Sequence, residues 1–200
     1  MIYQRPFPPI EGWMLLAELQ WLYHMAQKYK TIVGIGSWKG KSTHALLSGA
    51  IRGGGQVVAV DHFKGAEGFQ DSFFVEAQQM NMYHIFMSRV GHFPNLTVYK
   101  MSSEEAASHL PEVEMVFIDG GHEPEEVEQD LDLWLPKTTK LICGHDYTNF
   151  DGVKKAVNAR FGLPDGTMET IWWVDLEKRA QKALNPEPEI TIWEAANDPA

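Results

Sequence analysis

Cysteine is nearly absent: Cys143 is the only one in 200 residues, so no disulfide can form within the chain. No apolar run approaches the roughly 18–20 residues that a membrane-crossing helix requires, and no spanning segment is expected. The opening residues, Met1-Ile-Tyr-Gln-Arg-Pro, lack the basic start and apolar stretch of a secretory leader. Together these absences point to a reducing cytoplasm. Positive charge is also scarce: 17 Lys and Arg stand against 27 Asp and Glu, a formal charge of −10. Affinity for nucleic acid is mostly phosphate neutralisation by cations, so nucleic acid is not the expected partner, and no dense basic run argues otherwise. The acidity reads most simply as solubility.

The chain does have the balance of a folded domain, with 44% hydrophobic and 22% charged residues. It shows no internal repeat and no low-complexity tract. A single domain over residues 1–200 is expected, with a helical segment at 1–30 and a helical substrate-side region at 62–95.

Periodicity sets the order of elements. Leu15, Leu19, Leu22 and Ala26 fall on one helical face and predict a helix from Glu11 to Lys30. Short apolar strands follow at Thr31–Val33, Gln56–Val60, Leu96–Tyr99, Val113–Ile118 and Lys140–Cys143. Helices are expected between them, from Ser42, over Phe74–Val90, over Ser103–His109 behind a serine cap, and after Pro124 at a first turn. Asp151 is expected to cap a further helix, Gly152–Phe161. Thr170–Val174 and Glu189–Trp193 read as two last strands with no long helix between them. The alternation predicts an α/β three-layer, Rossmann-like sandwich. Its sheet is mostly parallel and seven-stranded, with an antiparallel C-terminal edge.

In such sheets ligands sit beyond the carboxyl ends of the strands, and that is where the unusual residues lie. Residues 34–40, Gly-Ile-Gly-Ser-Trp-Lys-Gly, follow the first strand; Asp61 follows the second; Asp119-Gly-Gly-His122 follows the fourth; His145-Asp-Tyr147 follows the fifth. The glycine stretch misses both common phosphate motifs. A P-loop ending at Gly40-Lys-Ser would need glycine where Ile35 stands, and a dinucleotide fingerprint would need it at Lys39. What remains is a tight turn that lets backbone approach a ligand closely, followed 25 residues after Gly36 by a carboxylate able to accept from a ribose diol. A turn without a ligand, and a helix-capping Asp61, are the plain structural alternatives.

These four segments together resemble the class I S-adenosylmethionine-dependent methyltransferases. They are most similar to the small-molecule O-methyltransferase branch grouped with the macrocin and rhamnosyl O-methyltransferases. The resemblance runs from about Gly12 to Phe161. It implies that Gly34, Gly36, Ser37, Trp38, Gly40, Ser42 and Thr43 line S-adenosylmethionine. It further implies that Asp61, beside His62, holds the ribose, that Ser102 and Ser103 lie by the adenine, and that Asp119 reaches the cofactor. Two departures stand out. Gly34 replaces an acid usual in the family, and residues 137–140, Lys-Thr-Thr-Lys, replace a Pro-Gly-Gly turn.

Strands four and five, as neighbours, would present Asp119 and Asp146 side by side, an arrangement suited to Mg2+ or another divalent cation. His145 is a third candidate ligand, although imidazole favours softer metals. Helix capping is the alternative for both acids. By resemblance His122, three residues after Asp119, is the general base, and Asp119 is the other expected catalytic residue; a solvated loop residue is the alternative for His122. Cys143 reads as an inert buried residue. The expected partner is a small hydroxylated acceptor. The sequence leaves open the acceptor's identity, a metal requirement and assembly into a homo-oligomer. A methyltransferase-like fold that binds a nucleoside or a partner without catalysis is the other reading, motivated by Gly34.

Overall fold

The computed structural model describes residues 7–65 and 72–185. The chain runs α1 (Leu16–Ala26), β1 (Thr31–Ile35), α2 (Lys41–Gly53), β2 (Gln56–Val60), α3 (Ser72–Gln79), α4 (Met82–Val90) and β3 (Leu96–Tyr99). It continues with α5 (Ser103–His109), β4 (Val113–Ile118), α6 (Pro124–Trp134), β5 (Thr138–Gly144), α7 (Asp151–Phe161), β6 (Gly166–Met168), β7 (Ile171–Asp175) and α8 (Leu176–Leu184). A single 3-10 turn, Leu135–Lys137, joins α6 to β5.

The seven strands form one sheet in the order β3-β2-β1-β4-β5-β7-β6. The first five are parallel, and β7 pairs antiparallel with both β5 and β6. This is the expected Rossmann-like fold. Period-two alternation sends side chains into two apolar layers. Ile32, Met115, Phe117, Leu141 and Cys143 pack with Leu19, Leu22, Leu46, Leu47 and Phe86 on the face carrying α1, α2 and α4. Val33, Ile35, Val116, Ile118 and Ile142 pack with Val127, Leu131, Trp134 and Val157 on the face carrying α5, α6 and α7. Helices α1 and α2 meet backbone to side: a Cβ on Gly49 would lie 2.1 Å from the Tyr23 carbonyl oxygen, and one on Gly53 2.2 Å from that of Gln27. Only glycine at both positions allows that approach.

Several boundaries differ from the sequence reading, each for a local reason. The first helix begins at Leu16, not Glu11, because residues 11–13 instead pack onto the glycine loop. The expected helix 74–90 is two helices, since Asn81 leaves the helical path and caps α4 through His84 N at 3.0 Å. Phe150, not Asp151, holds the cap position of α7, with Asp151 in its first turn. Among the described residues the expected strand 170–174 forms the antiparallel edge as β7, paired with β5 and with the unanticipated β6, and α8 follows it. Residues 189–193 lie outside the described residues. The cap expected before α5 is Ser102, reciprocated by Glu105. In place of a Pro-Gly-Gly turn, Thr138 Oγ1 donates to Trp134 O at 2.7 Å and Thr139 Oγ1 to Val113 O at 3.1 Å.

One buried acid gives the fold a pH signature. Asp130 of α6 accepts from Ser103 Oγ, which itself accepts from Trp134 Nε1. Burial lifts the Asp130 carboxyl from 3.8 to about 6 against the opposing Ser103 bond. Its folded pKa is raised, so its contribution is complete below pH 3.8 and is lost as pH rises through about 6. Asp130→Asn, which keeps an acceptor for Ser103, is therefore expected to raise stability by about 2–3 kcal/mol at pH 8 and to change it little at pH 4. Thermal melts of both proteins at the two pH values check this; an equal shift at both would deny the cost of ionising Asp130.

Candidate active site

The topology reverses between β1 and β4, which lie side by side while their following helices cover opposite faces. A crevice opens at such a reversal, at the strands' carboxyl ends. Each neighbouring strand holds the first residue past an end by its amide: Gly36 N donates to Val60 O at 3.0 Å, Asp61 N to Tyr99 O at 3.2 Å, Asp119 N to Ile35 O at 2.9 Å, and His145 N to Ile118 O at 3.0 Å. The four segments singled out in the sequence therefore meet along one edge.

On the β1 side, Gly36 adopts φ +79, and a Cβ there would lie 1.9 Å from the Asp119 carbonyl oxygen. The loop thus closes directly onto the end of β4. Asp61 grips it from β2. Its Oδ2 accepts from Ser37 N at 2.8 Å and Trp38 N at 2.9 Å, and its Oδ1 accepts from Phe63 N at 2.5 Å. Three of the roughly four lone-pair positions of a carboxylate are filled by the chain itself, a role for Asp61 beyond the ribose contact anticipated from the sequence. Trp38 takes the left-handed conformation at φ +46. Ser37 Oγ is buried without a hydrogen-bond partner.

Sequence reasoning missed Lys39. It is 5% exposed, and its ammonium bridges Glu11 at 2.6 Å and Glu76 of α3 at 2.7 Å. Burial lowers its pKa, but the two carboxylates outweigh this and raise it. Lys41 Nζ donates to Gly12 O at 2.5 Å, and the rings of Trp13 and Trp38 lie 6.4 Å apart. The N-terminal segment is thereby tied to the loop. Long-range ion pairs of this kind carry no local sequence pattern.

Other anticipated cofactor residues are placed as follows. Gly34 lies within β1, opposite Ala59 and Phe117, with Leu46 nearby, rather than in the loop. Gly40 is the left-handed residue before α2, and Ser42 and Thr43 are buried in its first turn. His62 Nδ1 accepts from Lys64 N at 3.0 Å. The hydroxyls of Ser102 and Ser103 are engaged by Glu105 and by Asp130 with Trp134.

At the ends of β4 and β5, Asp119, His145 and Asp146 bring one ligand-type atom each within 4.8 Å of one another. A small cavity there is lined by Gly120, His122, His145, Asp146 and Trp172 among others. Asp146 sits at φ +64, a conformation that aspartate tolerates better than most residues. Its Oδ2 lies 2.9 Å from His122 Nε2 and 3.2 Å from His145 Nδ1. The His122 ring stacks on Phe150 with centroids 3.9 Å apart. Burial lowers the His122 pKa, and the hydrogen bond to Asp146 reverses the sign and raises it. Burial likewise opposes charge on His145, but contacts to Asp119, Asp146 and Glu18 push it up to about 12. The three carboxylates around the ring favour its charged form. Burial would raise Asp146, and the two histidines hold it well below the usual carboxylate range. Glu18 of α1, 1% exposed, was not anticipated from the sequence.

The fold is similar to those of several solved structures. The O-methyltransferase from Bacillus cereus in complex with SAH is 16% identical, with 84% of each chain covered and a TM-score of 0.54. An SAH-bound methyltransferase from Podospora anserina is 12% identical, with 84% of this chain and 81% of that one covered and a TM-score of 0.57. The O-methyltransferase TomG from Streptomyces achromogenes, in complex with SAM, is 14% identical, covers 83% of this chain and 80% of its own, and has a TM-score of 0.51. No curated protein matches the chain. A family model described as "Methyltransferase domain" matches residues 33–147. That span exceeds half of the sequence and holds the glycine loop, Asp61, Asp119, His122, His145 and Asp146, and the chain belongs to this methyltransferase family.

Proposed function

We propose that the protein is an S-adenosylmethionine-dependent O-methyltransferase acting on a hydroxyl of a small molecule, in the macrocin and rhamnosyl O-methyltransferase-like branch. One observation carries the reading: the Asp61-gripped glycine loop stands beside an imidazole–carboxylate pair, His122–Asp146, across the β1–β4 crevice. The loop suits the cofactor. Ser37 Oγ is a buried hydroxyl with bonding capacity left over. When bound, S-adenosylmethionine supplies an electrophilic methyl on a sulfonium. Gly36, Ser37 and Trp38 would hold its methionine end, with the remaining acceptor capacity of Asp61 toward the ribose.

In the neutral form, favoured as pH rises above its raised pKa, the His122 imidazole would take the acceptor's hydroxyl proton. Asp146 and the Phe150 ring fix that imidazole, so alignment and proton removal are the protein's contribution to an in-line displacement. Two carboxylates and an imidazole within 4.8 Å are a donor set that fits a divalent cation. Asp119, Asp146 and His145 would hold it, and it would lower the pKa of a coordinated hydroxyl.

Calorimetric titration with S-adenosylhomocysteine (SAH), with and without Mg2+ and with ATP and NAD as controls, tests the cofactor. Micromolar binding of SAH alone is expected. For the base, His122→Ala is expected to spare SAH binding and to reduce turnover by roughly tenfold or more; unchanged turnover would remove His122 from that role. A binding protein without catalysis is the second reading, favoured by Gly34 in place of the family's acid. SAH binding with no turnover over a broad panel of hydroxylated acceptors would support it.

A further inference from the structure

Glu18 is the most buried carboxylate among the described residues. It occupies the third position of α1, where a capping-box acid need only reach back to the cap amide. Glu105 of α5 does this from an exposed site. Glu18 makes that bond, 2.7 Å from Leu15 N, yet it also takes three more partners. Its Oε1 accepts from Thr170 N at 3.0 Å and from Thr170 Oγ1 at 2.7 Å, and its Oε2 lies 3.2 Å from His145 Nε2. The other ring nitrogen, Nδ1, lies 3.4 Å from Asp119 Oδ1 and 3.2 Å from Asp146 Oδ2. Helix capping does not require this burial, and taking a carboxylate out of water is costly unless its partners repay it.

We propose that Glu18 is the positioning residue that makes His145 a nitrogen ligand, so that the site takes a transition-metal cation such as Co2+ or Zn2+ in preference to Mg2+. The inference rests on the metal reading given above. An ionised carboxylate can only accept a hydrogen bond. With Glu18 on Nε2, the ring proton of a metal-bearing His145 stays on Nε2, and the Nδ1 lone pair faces the two aspartates. Metal-binding histidines are commonly oriented by a carboxylate in this way. One imidazole among oxygen donors strengthens binding of later first-row cations, whereas Mg2+ is served best by oxygen.

Calorimetric titration of Co2+ and of Mg2+ into the wild type, Glu18→Gln and Thr170→Val tests this. The wild type is expected to bind Co2+ more tightly than Mg2+ by roughly tenfold or more. In Glu18→Gln the new amide N–H can donate to Nε2 and move the ring proton to Nδ1. Co2+ affinity is then expected to fall by roughly 10–100-fold, with a smaller change for Mg2+. Thr170→Val removes an anchor of Glu18 but not its contact with His145, and is expected to lower the melting temperature while keeping Co2+ affinity. Should Glu18→Gln fail to fold, His145→Asn reads the same point: its Co2+ preference over Mg2+ should collapse, and a preserved preference overturns the proposal. A folded Glu18→Gln protein with unchanged Co2+ affinity also overturns it while leaving the metal reading intact. A wild type that binds no divalent cation overturns the metal reading and this inference with it.

Discussion

Alanine in place of Gly36 is expected to lower stability by about 3 kcal/mol or more and to abolish SAH binding. The added methyl carbon would lie 1.9 Å from the Asp119 carbonyl oxygen, and the backbone at φ +79 already disfavours an L side chain. Relief would require the loop to leave the end of β4 or β4 to shift, and either movement separates the loop from Asp119. Gly34→Ala is the matched control. Its Cβ would meet Leu46 Cδ1 at 3.5 Å, an ordinary contact, and its φ is not positive. That substitution is expected to be neutral or to stabilise by up to about 1 kcal/mol. Urea denaturation of the two variants measures the contrast. An unchanged midpoint for Gly36→Ala would mean that the loop and β4 stand apart in solution.

Asp61→Ala is expected to destabilise the protein by about 2–4 kcal/mol and to weaken SAH binding by about 100-fold or more, roughly 3 kcal/mol. The stability loss follows from three backbone amides, Ser37, Trp38 and Phe63, that lose their acceptor at once. Hydrogen bonds to a charged acceptor contribute about 1.5–3 kcal/mol each and are not additive. The binding loss has two sources, a loosened cradle and a missing ribose acceptor. Asp61→Asn separates them, because its amide oxygen can still hold part of the loop. Weak binding by a stable Asp61→Asn protein would assign the carboxylate to the ligand. A lowered melting temperature with undiminished SAH affinity would make Asp61 a loop anchor only.

The strand ends were legible because they depend on short-range patterns. Apolar runs stop at Asp61, Asp119 and Gly144, each followed by residues unsuited to a buried strand, and the sheet rule then places them together. Boundaries were less legible where local competition decides them. Asn81 interrupts an otherwise helical run, and residues 11–13 prefer the loop to the helix. Gly166–Met168 is too short to announce itself as a strand, so β6 was not anticipated. Within the site, His122, Asp119, His145 and Asp146 were singled out from sequence and the strand ends bring them together, whereas Glu18 and Lys39 were not singled out. Glu18 meets His145 across 127 positions of sequence, and Lys39 meets Glu11 and Glu76 across 28 and 37. A capping-box glutamate and a loop lysine look like surface residues until tertiary packing buries them.

Among the described residues, the two strands at the margins of the sheet, β3 and β6, are its shortest, with four and three residues. Each leaves only a few main-chain donors and acceptors unpaired, so a foreign strand would find little to extend. Short outer strands are one way proteins avoid templated fibre growth. Resistance to that kind of self-association is thus built into the sheet, independent of the chemistry at its carboxyl edge.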